Sequence, residues 1–515
     1  MTDAKPARLP DLPLDPAEPP DAESPRGKEL RDALTIVTIT WMFGSVWLTA
    51  VAGAPLTLFA RHLGCTEFQL GVLAALPFMA QLVSMPASVL IERTAQRKRI
   101  FLTALYSQRL LWFPIAIVPW LLLGAGAPVA AWASVAFLGM VFVMHAGQAV
   151  GGPAWVSWMA DIVPDRSRGK YFSRRRQWGI VSAIPTALLV GWLLDRHAGG
   201  GGADGGVLTV DASRTLFWCA AIFCGAAVFG VADIALFHFV REPKREPDER
   251  AGFLNLFRQP MRDRKFLVFG GFVATMMFAV SFMGQFVTLY MIERLKITAT
   301  ATQMMLLVAP MLAQLLVLHL WGSAVDRMGK RPVLALAGLG LVPVGIGWIF
   351  VSPEAIWLGY LLSAAGAALW AGVETANFNF VLEFCDGDDE RPVDGSERRG
   401  SAYVAVNAVF INFAGCLGGL SAGVVASVLR DWRWESGVPW MNTFTYYEVL
   451  FLISAALRLV AVGAFLPFMH EPTARRTHET LLFMTANFYN NLVSAAAMPI
   501  KLLRQLRAAG FSDRP

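Results

Sequence analysis

Long apolar segments recur along this 515-residue chain from about residue 33 to residue 468, and they constrain its fold more than any other feature. Each is close to the roughly 20 residues that a helix needs to cross a bilayer. Lipid offers backbone groups no water, so a spanning segment must be a helix or part of a closed barrel. These segments are continuously apolar rather than alternating, which favours helices. The sequence therefore predicts an all-α membrane protein of about 12 transmembrane helices, at 33–60, 68–91, 100–124, 128–160, 177–195, 215–240, 266–291, 299–324, 332–351, 354–382, 401–429 and 445–468.

The composition excludes several other classes of protein. Hydrophobic residues make up 55% of the chain and charged residues only 16%, against roughly 25% charged residues in soluble proteins. The net charge of +6 has its source in the loops between spans, so it does not indicate a nucleic-acid partner. The five cysteines have no metal-ligand spacing and predict neither a metal site nor a disulfide framework. Motifs for ATP binding and metalloprotease chemistry are missing, so we expect no cofactor and no enzyme.

Lysine and arginine residues fall mostly on one side of the predicted bundle. With the N-terminus placed in the cytoplasm, 35 of the 44 Lys and Arg residues lie in cytoplasmic tails and loops. Seven lie on the opposite side, and the remaining two, Arg109 and Arg458, lie inside spans. Cytoplasmic loops of membrane proteins carry this kind of excess. The sequence thus predicts a multi-pass protein of the cytoplasmic (inner) membrane with both termini in the cytoplasm.

A polar stretch divides the spans into two sets of six. It contains the segment REPKREPDER and is the natural linker between two halves. After the last span, apolar residues at helical spacing over 480–508 favour an amphipathic helix on the inner leaflet, with a poorly ordered tail as the alternative. The predicted parts are a disordered cytoplasmic tail at 1–32, six-helix halves at 33–240 and 266–468, a cytoplasmic loop at 241–265 and a cytoplasmic tail at 469–515.

The two halves also repeat one another in sequence. The three matches occur in near register, and two of them lie in polar loops, where chance similarity between apolar helices does not explain them. Rocking transporters are built from repeated halves of this kind, with the substrate site between them. The matched residues are Pro77, Gln81 and Leu82 with Pro310, Gln314 and Leu315; Glu92, Arg93 and Arg97 with Asp326, Arg327 and Arg331; and Arg168, Gly169 and Tyr171 with Arg399, Gly400 and Tyr403.

The loop after the eighth span, WGSAVDRMGKRP, resembles the signature of the major facilitator superfamily. Glycine allows close approach of two helices, and an acidic residue at a helix end can hold the facing helix through its dipole. The resemblance implies a latch that stabilises the outward-facing state and breaks when the halves rock. In the first half, Ser88 and Ala95 stand where glycines are expected. The predicted gating residues are Gly322, Asp326, Arg327, Gly329, Lys330 and Arg331 in the second half and Glu92 and Arg93 in the first.

Two other patterns of the superfamily are weak or missing. His145 in span 4 stands where proton-coupled members carry an arginine. Span 5 lacks the Gly-Pro-x-x-Gly-Gly pattern of drug–proton antiporters, which disfavours multidrug efflux.

The resemblance implies that spans 1, 4, 7 and 10 line a cavity, and ionisable residues inside the bilayer are functional candidates. Glu374 in span 10 is the strongest, roughly 12 Å from the end of its helix. It could carry a proton or pair with a cationic solute; the alternative is a structural carboxylate. His145 could titrate near neutral pH, or be a neutral histidine bonded inside the bundle.

Arg109 in span 3 could bind an anionic substrate, but the prediction favours pairing with an acid, for which Asp233 in span 6 is a candidate. In span 11, Gly415, Gly419 and Gly423 predict a close helix-packing face. At the inner end of span 4, Asp161 and Arg168 could form salt bridges between the halves at a gate, or lie in a solvated loop. Polar and aromatic cavity candidates are Trp41, Trp155, Trp158, Gln285, Asn377, Asn379, Asn407 and Asn412.

The sequence therefore favours a secondary transporter for a small organic solute, driven by the gradient of that solute or by protons. We expect a monomer whose partners are the solute and the bilayer. The alternative from another class is a membrane receptor or scaffold that has the transporter fold without turnover.

Overall fold

The protein is described by a computed structural model that covers residues 27–197, 210–243, 260–386, 396–435, 443–469, 471 and 474–496. It is nearly all helical, with an isolated antiparallel bridge between Trp434 and Phe444. Twelve helices are long and apolar enough to span a membrane, which confirms the predicted number. They are α1 (Gly27–His62), α2 (Glu67–Thr94), α3 (Arg97–Gly124), α4 (Ala133–Ile162), α5 (Tyr171–His197), α6 (Ala212–Phe239), α7 (Arg264–Arg294), α8 (Ala299–Met328), α9 (Lys330–Phe350), α10 (Pro353–Cys385), α11 (Ala402–Val428) and α12 (Tyr446–Phe468).

The two sets of six helices pack in the same way. In the first set α1 packs against α5 and α6, and α4 packs against α2 and α3. In the second set α7 packs against α11 and α12, and α10 packs against α8 and α9. This repeated arrangement is the pseudo-symmetric pair of six-helix halves that the sequence predicted.

Aromatic side chains fill the interior of each half. In the first, the ring centroid of Phe223 lies 5.2 Å from Phe59 and 5.0 Å from Trp112. In the second, the ring of Phe266 lies 4.9 Å from Tyr403 on α11. Edge-to-face and tilted pairs at these separations add stability beyond the area they bury.

Three helices are irregular at one end of the bundle. The first segment of α1 ends at Val51, and the second begins at Ala54. The helices α7 and α8 contain π-helical turns at Tyr290–Arg294 and Met304–Val308. Such turns are frequent at functional sites. We call this end of the bundle the far side, and the opposite end, where Gly27 begins α1, the tail side.

Two predicted boundaries were wrong. The helix α1 begins at Gly27, inside the segment predicted as a disordered tail. The helix that contains α5 begins at Asp165, so Arg174, Arg175 and Arg176, which were predicted in a loop, lie on a helix. The apolar windows missed both extensions because the added turns are polar.

A thirteenth helix, α13 (Thr477–Ala496), packs on the ends of α8 and α9. The rest of the predicted amphipathic segment, most of the predicted loop at 241–265 and the first 26 residues lie outside the described residues.

Candidate transport site

The two halves approach each other most closely between α2 and α11. A Cβ atom on Gly71 would collide with the backbone of Gly423, and one on Gly419 would lie 2.9 Å from the backbone nitrogen of Ala75. Because any side chain at these positions would separate the helices, the contact requires glycine. The predicted packing face on α11 is therefore present, and it faces the other half.

Charged residues of alternating sign close the far side. Nε of Arg61, at the end of α1, lies 2.6 Å from a carboxylate oxygen of Glu293 on α7. Its Nη1 lies 3.2 Å from Glu67, which is itself 3.5 Å from Nε of Arg430. Tyr447 donates a 2.9 Å hydrogen bond to Glu293. The Arg61–Glu293 and Glu67–Arg430 ion pairs run between the halves and hold them together at this end, and the other two contacts each lie within one half.

Asp195 forms a second closure between α5 and α8. Its carboxylate accepts hydrogen bonds from the backbone N–H groups of Ala299 at 2.6 Å and Thr300 at 3.0 Å. The first N–H groups of a helix have no partner within the helix, and the dipole there favours an anion. Next to them, Gln303 donates to the carbonyl of Ala52, at the break in α1. Each of these hydrogen bonds therefore joins a side chain of one half to the backbone of the other half.

On the tail side the halves separate. Past Ser84, α2 packs against α3 and α4 of its own half. Arg176 donates a 2.8 Å hydrogen bond to Gln314 across the boundary, about half-way along α8. Beyond this point Asp326 and Arg327, at the end of α8, are exposed. The halves therefore enclose a cleft that is closed on the far side and open on the tail side.

Glu374 lies on the exposed surface of α10. Its carboxylate accepts a 2.7 Å hydrogen bond from the indole nitrogen of Trp370. Leu369 packs against α9, and the carbonyl of Ala368 accepts a hydrogen bond from Trp321 of α8. At 100° per residue, Glu374 lies about 140° from Leu369 and about 120° from Ala368 around the helix. Its side chain therefore points away from α8 and α9.

The other predicted polar residues have different surroundings. His145 is half-buried on α4, and within the described part of the chain it makes no hydrogen bond. Gln285 accepts a 3.0 Å hydrogen bond from Thr57 and so joins α7 to α1. The amide of Asn379 donates to the carbonyl of Thr375 in its own helix. The amide oxygen of Asn377 is buried and has no partner among the described residues.

Arg109 and Asp233 form a buried ion pair, as the sequence predicted. Nη2 of Arg109 lies 3.1 Å from the carboxylate of Asp233, and its guanidinium stacks 3.4 Å over the ring of Trp47. A Cβ atom on Gly44 would lie 2.8 Å from the same carboxylate. The pair thus joins α3, α6 and α1 inside the first half, and its two charges cancel.

A second arginine was missed by the sequence reasoning. The guanidinium carbon of Arg175 lies 4.5 Å from the ring centroid of Trp41 on α1 and 4.7 Å from that of Trp155 on α4. Its Nε donates to the carbonyl of Val37 at 3.2 Å. A side chain on Gly179, one turn further along α5, would collide with the Trp41 indole. Arg175 thus lies between the two first-half helices that the family resemblance places along the cavity.

The sequence comparison decides the family. A model of the Major Facilitator Superfamily matches residues 33–419, about three-quarters of the chain. The chain belongs to the major facilitator superfamily. No curated protein sequence shows significant similarity to it.

Solved structures of superfamily transporters have the same fold. A nucleoside transporter is 12% identical, with a TM-score of 0.58, and the match covers 86% of this chain and all of that one. The xylose transporter of E. coli in an inward-open conformation is 15% identical, with a TM-score of 0.56 over 88% of this chain and 99% of its own. A bacterial homologue of the iron transporter ferroportin is 12% identical, with a TM-score of 0.55 over 86% of this chain and 100% of that one.

The basic residues of the superfamily signature hold α9 to the segment after α12. Gly329, at a φ of 99°, separates α8 from α9. The N–H groups of Lys330 and Arg331 then donate to the carboxylate of Glu471 at 3.1 and 2.8 Å. Nε of Arg331 donates to the carbonyl of Leu466 at the end of α12. These residues brace one half and do not contact the other.

The first half contains the same device. The carboxylate of Glu242, after α6, accepts a 3.1 Å hydrogen bond from the N–H of Lys98 and lies 3.5 Å from Nε of Arg97. A signal was present in the sequence, because Glu-Pro follows the sixth span of each half at Glu242 and Glu471. The repeat search missed it because it compared segments within and after spans 2 and 4.

Among the described residues, Glu92 and Asp326, the acidic residues of the signature, form no ion pair or hydrogen bond that would make a latch. Glu92, Arg93, Asp326 and Arg327 are exposed on the open tail side, and the Arg327 guanidinium lies 5.7 Å from the ring of Phe483 on α13. Nor is the helix approach expected at Gly322 made, since a Cβ atom there would meet no atom within 4 Å. An open cleft on this side is the state in which the implied latch is broken.

For Asp161 and Arg168 the sequence left two alternatives, salt bridges between the halves or a solvated loop; the contacts seen among the described residues lie within the first half. Asp161 forms an ion pair with Arg97 at the start of α3. Nη2 of Arg168 donates to the carbonyls of Ala160 and Val163 at the end of α4. Both residues brace the end of α4, because partners on their own half are nearer while the cleft is open.

Proposed function

We propose that this chain is a secondary active transporter that moves a small organic solute across the cytoplasmic membrane by alternating access. The superfamily and the cleft between the halves support this function. The far side is closed by the glycine contact between α2 and α11, two ion pairs between the halves and helix-end hydrogen bonds. These contacts can exchange for contacts on the tail side. In the predicted orientation the open tail side faces the cytoplasm.

One observation carries the proposal further. Glu374 is a carboxylate within a membrane-spanning helix, it faces away from α8 and α9, and it accepts a hydrogen bond from the indole N–H of Trp370. A charged group inside a membrane-spanning segment costs free energy, so such groups are usually those that take part in transport or pair with another charge. We infer that Glu374 takes up and releases a proton during the cycle and so couples transport to the proton gradient. A receptor or scaffold without turnover would have no use for such a group.

The test is proton movement in proteoliposomes that contain the pH dye pyranine. Outside solutes would be gluconate, succinate, benzoate, xylose, uridine and choline. We expect at least one to move protons with the wild-type protein, and Glu374→Gln to abolish proton movement while counterflow of the same labelled solute persists. The matched control is Glu354→Gln, an exposed carboxylate at the start of α10, which should behave as wild type.

Proton movement that is equal in Glu374→Gln and wild type would remove Glu374 from the coupling role and leave the transporter. The absence of both counterflow and proton movement with every solute would instead favour the receptor or scaffold.

A further inference from the structure

The first-half wall of the cleft contains an arginine that forms no ion pair with an acidic side chain among the described residues. We propose that Arg175, held between Trp41 and Trp155, binds the carboxylate or phosphate group of the solute, so that the transported solute is an organic anion. This inference rests on the proposed transport function and adds the substrate class to it.

The geometry of the clamp leaves one edge of the guanidinium free. The guanidinium carbon lies 4.5 Å from the ring centroid of Trp41 and 4.7 Å from that of Trp155, so both rings lie against the group. Nε is used by the carbonyl of Val37. The two terminal nitrogens have no hydrogen-bond partner among the described residues. Those nitrogens form the fork that matches carboxylate and phosphate oxygens in a bidentate way, and lysine cannot reproduce it.

The charges around the clamp point to the same class of ligand. Asp233 interacts electrostatically with Arg175 but is paired with Arg109 at 3.1 Å, so its single negative charge serves both arginines. The next residue, Arg176, adds a second cation and donates to the neutral amide of Gln314. A guanidinium in a membrane-spanning helix is costly unless it pairs with an anion. Since the described part of the chain offers Arg109 and Arg175 the single carboxylate of Asp233, one positive charge is left unmatched, and a solute anion is its counter-charge.

The position of the clamp also suits transport. Trp41 and Trp155 belong to α1 and α4, and the neighbouring Arg176 reaches across the boundary to α8 of the other half. An anion held at Arg175 therefore lies where the halves must approach each other to close the tail side. If Glu374 carries one proton during transport, that proton and a bound monoanion together cross the membrane with no net charge.

The experiment measures the melting temperature of the purified full-length protein in detergent against three groups of solutes. The anions are gluconate, succinate, benzoate and glucose 6-phosphate; the neutral solutes are glucose, xylose and uridine; the cation is choline. Each is titrated into wild type, Arg175→Lys, Arg175→Gln and Arg174→Gln. Arg174 is an exposed arginine on the same turn and provides the matched loss of charge. The unliganded melting temperature of each variant shows whether it folds.

We expect an anion to raise the melting temperature of wild type and of Arg174→Gln. Loss of charged hydrogen bonds should weaken its apparent affinity about 10- to 100-fold in Arg175→Lys, and Arg175→Gln should not respond. A response to neutral or cationic solutes alone, with counterflow of the same solute, overturns the anion class and leaves the transporter. An anion response unchanged in Arg175→Lys and Arg175→Gln removes the clamp. Silence throughout, without counterflow, overturns both proposals.

Discussion

Arg61 is the residue whose loss should open the far side most directly, and the chain contains a natural reporter beside it. Arg61 contacts Glu293 at 2.6 Å and Glu67 at 3.2 Å, with about 20% of its side chain exposed. Exposed ion pairs contribute roughly 0.2–1 kcal/mol each, and partial burial adds to this. We therefore expect Arg61→Gln to destabilise the closed far side by about 1–2 kcal/mol, a factor of about 5–30 in the open fraction.

The reporter is Cys65, which is buried between α1 and α2. Burial raises the pKa of its thiol to about 12, although Arg61 acts in the opposite direction. At pH 8 the closed state therefore holds the unreactive thiol. Opening returns the pKa towards its usual value of about 8.5, where a substantial fraction is thiolate. Labelling of Cys65 thus proceeds through the open state and reports its population.

The assay is maleimide labelling at pH 8 of a variant whose other four cysteines are replaced by alanine. Arg61→Gln should label about 5–30 times faster than its parent, in line with the energy estimated above. The control is Arg433→Gln, because Arg433 is an exposed arginine on the same side that forms no ion pair with the described residues. This change should leave the rate unchanged. A rate within twofold of the parent, or an equal rise in Arg433→Gln, would refute the view that Arg61 holds the far side closed.

Two further predictions concern packing within and between the halves. Asp233→Asn leaves Arg109 buried without its counter-charge and should lower the free energy of unfolding by roughly 3–5 kcal/mol, which a lower melting temperature would show. Adding Arg109→Gln should restore part of this stability. A double variant that is less stable than Asp233→Asn would contradict the prediction. Gly423→Leu places a side chain against Gly71, so the far side should not close. Labelling of Cys65 should then be faster, and the solute should no longer accumulate. Normal accumulation would show that this contact is dispensable.

The fold followed from the sequence because its signals are local. The length of an apolar segment and the Lys and Arg residues beside it are read within a few dozen residues, and both reflect the bilayer rather than any particular partner. The Arg109–Asp233 pair could also be predicted from the sequence, because two opposite charges buried in one small half have few other partners. Boundaries were less certain where polar turns extend a helix, as at Gly27 and Asp165.

The position of Arg175 beside Trp41 and Trp155 could not be predicted from the sequence, and the reason is physical. Arg175 stands in a run of three arginines next to a predicted loop, and such runs are usually solvated. Its burial depends on Trp41 and Trp155, which lie on other helices, and on Gly179 leaving room for the first indole. Sequence spacing along one helix contains no information about rings contributed by two others.

The sequence repeat distinguishes residues that support the fold of both halves from residues that recognise the solute. The helices Asp165–His197 and Ser396–Val428 both contain 33 residues, and Arg168 aligns with Arg399 in that register. The match of Tyr171 with Tyr403 shifts this register by one residue, so Arg175 aligns with Asn407, a buried and uncharged residue of the second half. Where the halves agree, as in the two glutamates that brace α3 and α9, the residues perform the same structural task twice. A closing bundle needs that symmetry because each half must support the same motion. A solute has no such symmetry, so a group that recognises it is needed once, and a charged cleft residue without a counterpart in the other half is the first place to look for recognition.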